Sequence, residues 1–104
     1  MRYINCRNLK KIGESAFLNC KSVVKYNFYD VEEIDENAFT SNYSLSDIKF
    51  NKLKKIKYHV FNFCFSLKYV TAPLLEKIDE NAFSGNGVHV KIINSTIKQE
   101  KENS

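Results

Sequence analysis

Apolar positions in this chain recur every 22 residues. Ile12, Ile34, Ile56 and Ile78 share one column of the repeat, and Phe17, Phe39, Phe61 and Phe83 share another. Leu9, Val31, Leu53 and Leu75 precede the isoleucines, while Ala16, Ala38, Val60 and Ala82 stand just before the phenylalanines. A further column holds Ile4, Tyr26, Ile48, Val70 and Ile92. No insertion or deletion breaks the register from Met1 to Ile92. A fixed period of this length marks a solenoid, in which each repeat is one coil whose apolar face is buried only by its neighbours.

Within one unit, Leu45-Ser46-Asp47-Ile48-Lys49-Phe50 places its first, fourth and sixth residues inward, as a strand on one wall of the coil. Leu53-Lys54-Lys55-Ile56 predicts a second, shorter strand. Asp35-Glu36-Asn37-Ala38-Phe39 and Asp79-Glu80-Asn81-Ala82-Phe83 read as single helical turns, with aspartate placed to cap free backbone N–H groups and glutamate favoured by the helix dipole. The expected fold class is therefore a mainly β repeat solenoid of the leucine-rich repeat type, with short strands and one helical turn per coil. About four units fill residues 1–97, and Val88-His89-Val90-Lys91-Ile92 predicts a final strand shifted by one residue. The charged segment 98–104 is expected to be a disordered tail. Met1 already occupies a core column, so no polar cap precedes the first strand; missing repeats or end-to-end self-association at that coil are both expected possibilities.

The segment from Leu53 to Val70 follows the pattern L-x-x-I-x-x-x-A-F-x-x-C-x-S-L-x-x-V, with Val60 in the alanine column. This pattern resembles the BspA-like class of leucine-rich repeats, and the resemblance covers residues 1–92. Pro73 keeps the proline that commonly follows the strand in that class. The resemblance implies an extended recognition surface, often in cell-surface or secreted proteins, and no catalytic chemistry.

Composition narrows the alternatives. The 104 residues are 43% hydrophobic and 27% charged, enough apolar content for one core. No apolar run approaches the ~18 residues that span a bilayer, and the start of the chain has no apolar stretch of signal-peptide length. Compartment is left open. The net charge of +4 is not spread evenly: residues 1–22 carry five basic and one acidic side chain, 23–44 one and five, 45–66 five and one. Lys10-Lys11, Glu32-Glu33, Lys54-Lys55 and Glu76-Lys77 share one column pair, which predicts cross-strand charge pairing between neighbouring coils. A phosphate backbone needs a continuous basic track, so this alternation argues against a nucleic-acid partner, with an RNA-contacting surface around Lys49 to Lys57 as the weaker alternative.

No catalytic, cofactor or metal site is expected. Cys20 and Cys64 lie two coils apart in one column, roughly 10 Å at strand spacing and beyond the ~7 Å limit for a disulfide. They read as core thiols alternating with Asn42 and Asn86, and Cys6 joins the inward column of Phe28, Phe50 and Ala72. His59 stands in the column of Ser15, Asn37 and Asn81 as a polar turn residue, and His89 takes a leucine position. Neither histidine has companions at metal-ligand spacing. Of two glycosylation sequons, Asn42 falls in a corner column of the stack, and Asn94, where the array ends, is the better candidate.

The outward strand positions vary from coil to coil while the core columns do not. Tyrosine mixed with polar and charged groups suits protein recognition, and Tyr3, Lys25, Asn27, Asp47, Lys49 and Tyr69 are the expected partner-binding strip. The chain thus reads as a non-catalytic protein–protein interaction module. A structural spacer or fragment of a longer adhesin-like array, with no ligand of its own, is the alternative.

Overall fold

A computed structural model of the chain describes residues 2–86 and 90–93. Nine strands follow in order: β1 Arg2–Cys6, β2 Lys11–Ile12, β3 Val23–Phe28, β4 Glu33–Ile34, β5 Asp47–Phe50, β6 Lys55–Ile56, β7 Tyr69–Thr71, β8 Lys77–Ile78 and β9 Lys91–Ile93. The odd-numbered strands form one five-stranded parallel sheet in the order β1-β3-β5-β7-β9. On the second wall, β2 pairs with β4 and β6 with β8. The path of each coil brings residue n beside residue n+22, as in Ile4 with Tyr26, Tyr26 with Ile48 and Ile48 with Val70.

The last strand keeps this register. Val70 pairs with Ile92 and Thr71 with Ile93, so the one-residue shift expected from Val88-His89-Val90-Lys91-Ile92 does not occur in β9. Bonding to β7 outweighs the local alternation: it keeps Ile92 in the core column, and Val90 is buried as well. His89, the Asn94 sequon and segment 98–104 lie outside the described residues.

The third wall is made of successive hydrogen-bonded turns, and no helix forms among the described residues. Ser15, Asn37, His59 and Asn81 have φ of 57°, 62°, 59° and 60°, and four residues later Asn19, Ser41, Phe63 and Gly85 have φ of 60°, 64°, 56° and 81°. Two left-handed residues per coil interrupt any helical run. The freed N–H groups point to the next coil: Phe17, Phe39 and Phe61 donate to the carbonyls of Ala38, Val60 and Ala82 at 2.8, 3.0 and 2.8 Å. A helix would use those groups internally and leave this wall without backbone hydrogen bonds between coils. His59 accordingly serves as a turn residue of the asparagine column, its ring against Tyr58 at 3.6 Å.

The core runs between the walls as ladders of like side chains. Phe17, Phe39, Phe61 and Phe83 stack at centroid separations of 5.3, 5.5 and 5.4 Å with nearly parallel planes. Phe28 and Phe50 make a parallel stack at 5.5 Å beside them. Such offset stacks add to the burial energy of each ring. Burial is complete in the inner coils and incomplete in the first: Tyr26, Phe28, Val31 and Phe39 are fully enclosed, whereas Ile4, Cys6, Leu9 and Phe17 are partly exposed.

Where the core turns its corner, polar groups replace apolar ones, and Asn42 is fully partnered, while the Asn86 Nδ2 is buried with no partner among the described residues. Asn42 is fully buried, donates from Nδ2 to the carbonyls of Phe17 and Phe39 at 2.7 and 2.9 Å, and accepts the Tyr26 hydroxyl at 2.8 Å. Cys64, one coil on, directs Sγ at the same Phe39 carbonyl, and its backbone N–H donates to Asn86 Oδ1. Asn42 and Cys64 thus both donate to the Phe39 corner carbonyl, and the three cysteines are free thiols. Burial pushes the Cys64 thiol up to about 12 and raises the Tyr26 phenol well above its usual range. Both stay protonated donors at neutral pH. An asparagine so enclosed cannot present its amide nitrogen to a glycan.

Candidate functional site: the outward strand face

The five-stranded sheet turns one side into the core and the other outward. Alternation along each strand sends Ile4, Tyr26, Ile48, Val70 and Ile92 inward, and their flanking residues outward. Parallel register lines these flanking residues into two adjacent columns. Tyr3, Lys25, Asp47, Tyr69 and Lys91 are neighbours in succession, and so are Asn5, Asn27, Lys49, Thr71 and Ile93. All six residues of the strip expected from the sequence fall within these columns, so the structure brings them together on one surface.

Their exposures differ. Tyr3 is 68% exposed and Tyr69 43%, while Lys25 and Lys49 are exposed and Asp47 and Asn27 half-buried. Asn27 donates from Nδ2 to the Tyr29 hydroxyl at 3.0 Å, but its Oδ1 is buried with no partner among the described residues. Tyr29 in turn lies under the Arg7 guanidinium, 3.9 Å from ring centroid to cation. Asp47 accepts from the Ser46 hydroxyl at 2.9 Å.

Charges on the second wall behave differently. Lys57 bridges Glu33 at 3.0 Å and Asp35 at 3.1 Å, Lys11 lies 3.9 and 3.7 Å from the same two carboxylates, and Lys55 reaches Asp79 at 3.7 Å. Lys52 meets Asp30 at 3.2 Å at the corner. Hydrogen bonding to Lys57 holds the Asp35 carboxyl below its ordinary range, and Glu33 and Asp35 raise Lys57. The Asn8 backbone N–H, then Lys52, does the same for Asp30. The expected pairing of like with opposite columns holds between Lys11 and Glu33 but fails one pair of coils later, where Lys55 stands beside Lys77. Lys55 turns aside to Asp79 because a like charge occupies the position opposite. The run from Lys49 to Lys57 is consequently no basic track: Lys49 faces outward on the sheet, while Lys52, Lys55 and Lys57 are each paired elsewhere.

One exposed feature escaped the sequence reading. Tyr43 and Phe65 stack in parallel at 5.3 Å, Lys21 lies over Tyr43 at 5.6 Å, and Phe63 meets Phe65 edge-on at 6.1 Å. Lys21, Tyr43 and Phe65 are themselves 22 apart, a signal present in the sequence but lying outside the core columns. The Phe63 ring also covers Gly85, where a Cβ would fall 2.4 Å from ring carbons.

Among the described residues no group of histidine, cysteine and carboxylate side chains could hold a metal ion, and no helix is long and apolar enough to cross a membrane. Comparison with curated proteins and with solved structures produces no match. Residues 1–102 match the family described as "BspA type Leucine rich repeat region (6 copies)". Four in-register coils, a parallel strand wall and this match over nearly the whole chain agree, and the protein belongs to the BspA-type leucine-rich repeat family.

Proposed function

We propose that the protein is a non-catalytic protein–protein interaction module, and that its outward strand face, centred on Tyr3, Lys25, Asn27, Asp47, Lys49 and Tyr69, is the surface that contacts the partner. The family supports a repeat module of a kind commonly used for protein binding. The observation that carries the reading is the division of labour between columns. Inward positions repeat one apolar pattern, while the aligned outward positions vary in size and charge, Tyr, Lys, Asp, Tyr and Lys in one column and Asn, Asn, Lys, Thr and Ile in the other, and leave two tyrosines exposed. Tyrosine contributes large contact area with few rotatable bonds, which suits recognition.

Affinity capture from the source cell's lysate and medium tests it, using the chain beside a variant carrying Tyr3→Ser, Lys25→Glu, Lys49→Glu and Tyr69→Ser. A protein held by the parent and released by the folded variant is the expected result. Capture of nothing by either would favour a spacer in a longer array.

A second reading concerns the first coil. Strand β1 is the edge of the sheet and the side chains beneath it are only partly covered, which supports end-to-end pairing with another copy. Sedimentation velocity over a concentration series should show association, and a strictly monomeric chain would end this reading.

A further inference from the structure

Counted by unit, the charges of this chain alternate; counted by wall, they separate. The outward columns of the strand wall carry Lys25, Lys49 and Lys91, and the exposed Arg2, Arg7 and Lys68 lie beside them at the strand ends, six cations against one carboxylate, Asp47. That is +5 on one face, where the whole chain, with 16 basic and 12 acidic residues, is only +4. Everything else therefore nets −1. None of the ion pairs among the described residues involves a cation of this face. Arg7 is engaged by the Tyr29 ring. The other five fall one to each successive coil: Arg2 in β1, Lys25 in β3, Lys49 in β5, Lys68 just before β7 and Lys91 in β9. At a strand spacing of about 4.8 Å, this is one free positive charge per step across the sheet.

We infer that the partner presents an acidic polypeptide segment, rich in aspartate and glutamate, which lies across the strands of this face. The inference rests on the interaction-module reading above and adds the chemistry of the partner. Complementary charge supplies speed of association and register, and Tyr3 and Tyr69 supply apolar contact at either side of Lys25 and Asp47. Asp47 separates a polypeptide from a nucleic acid. It lies in the middle of the face, in register between Lys25 and Tyr69. A nucleic acid carries a phosphate at every residue and must bring one near this carboxylate, whereas a polypeptide places a neutral or basic side chain there.

The test uses fluorescence anisotropy at low and at physiological salt, with a fluorescein-labelled twelve-residue peptide rich in aspartate and glutamate. The same peptide in amide form and a twelve-nucleotide oligo-dT serve as comparison probes. Three forms of the full chain are titrated: the parent, a face variant with Lys25→Glu, Lys49→Glu and Lys91→Glu, and a control with Lys10→Glu, Lys54→Glu and Lys77→Glu on the second wall. Both variants change the net charge equally. The expected result is binding of the acidic peptide by the parent, weakened about tenfold or more in the face variant and less than about threefold in the control. A Lys→Gln version of the face variant, with thermal melts of every form, separates lost attraction from added repulsion and from unfolding. Equal weakening in both variants, no binding by the parent, or tighter binding of oligo-dT would each overturn the inference. If the acidic peptide fails while the capture experiment still depends on the strand face, only the partner's chemistry is wrong; if both fail, the interaction-module reading falls with it.

Discussion

The strand wall and the second wall carry similar side chains and use them in opposite ways. On the second wall Lys11, Lys55 and Lys57 are drawn onto Glu33, Asp35 and Asp79, so the charges neutralise one another from coil to coil. On the strand wall Lys25, Lys49, Lys68 and Lys91 have no carboxylate partner among the described residues, and the one acid in their midst, Asp47, is turned to Ser46. Similar lysines thus hold coils together on one side and remain available on the other. Register alone does not decide this: Lys55 stands beside Lys77 yet pairs with Asp79, while Lys25 stands beside Asp47 and forms no ion pair among the described residues.

Three expectations would break or sharpen this contrast. The largest effect belongs to the corner both walls depend on. Asn42→Ala leaves the Phe17 carbonyl without the amide and the Tyr26 hydroxyl without its acceptor, while the Phe39 carbonyl keeps Cys64 Sγ and the backbone N–H of residue 42. At about 1–3 kcal/mol for each of the two groups left unpaired, the loss should reach about 2–6 kcal/mol in chemical denaturation. If the variant were nearly as stable as the parent, the walls would not share a tightly bonded core. Next in size, Lys57→Met should lower Tm by roughly 2–4 °C and leave acidic-peptide binding unchanged, whereas Lys49→Met should do the reverse. Equal effects of the two on Tm would erase the distinction between the walls.

The smallest effect is the dependence of Tm on pH. Asp30 and Asp35 have depressed folded-state pKa values, so their contribution is present above the unfolded value of ~3.9 and is lost as pH falls through the folded one. Lys57 is raised, so its contribution is complete below ~10.4 and lost as pH rises through its folded value. Tm should fall on the acid side below ~3.9; on the alkaline side the raised Cys64 thiol starts the fall above ~8.5, the raised Tyr26 phenol joins it above ~10, and Lys57 adds to it above ~10.4. In Lys57→Met the alkaline fall should be smaller; an unchanged alkaline limb would mean the bridge to Glu33 and Asp35 is not formed in solution.

Much of the fold was legible one residue at a time. The columns of Ile12, Phe17 and Ile4 identify the coil length, the core and the family, and the six outward residues expected to form a strip do lie together. The helical turn was misread because Asp35-Glu36-Asn37 carries good N-terminal helix chemistry. The asparagine at φ 62° is decided by the need of Phe39 N–H to reach the next coil, which local propensity does not contain. The exposed stack of Tyr43 and Phe65 is not marked by the repeat, because its column begins with Lys21 and so does not recur as apolar in every unit.

The sequence by itself determined the period, the inward columns and the stacking of coils, because a parallel ladder with no insertions forces residue n beside residue n+22 and a shared core admits only matching side chains there. The tertiary structure alone decided which charges are spent. Whether a lysine is paired depends on how far its flexible stem reaches across coils, as Lys57 does back to Glu33 and Asp35, and on whether a like charge blocks the shortest route, as Lys77 does for Lys55. Those distances exist only once the coils are stacked, and they separate a neutralised scaffold from a basic face in a chain whose net charge describes neither.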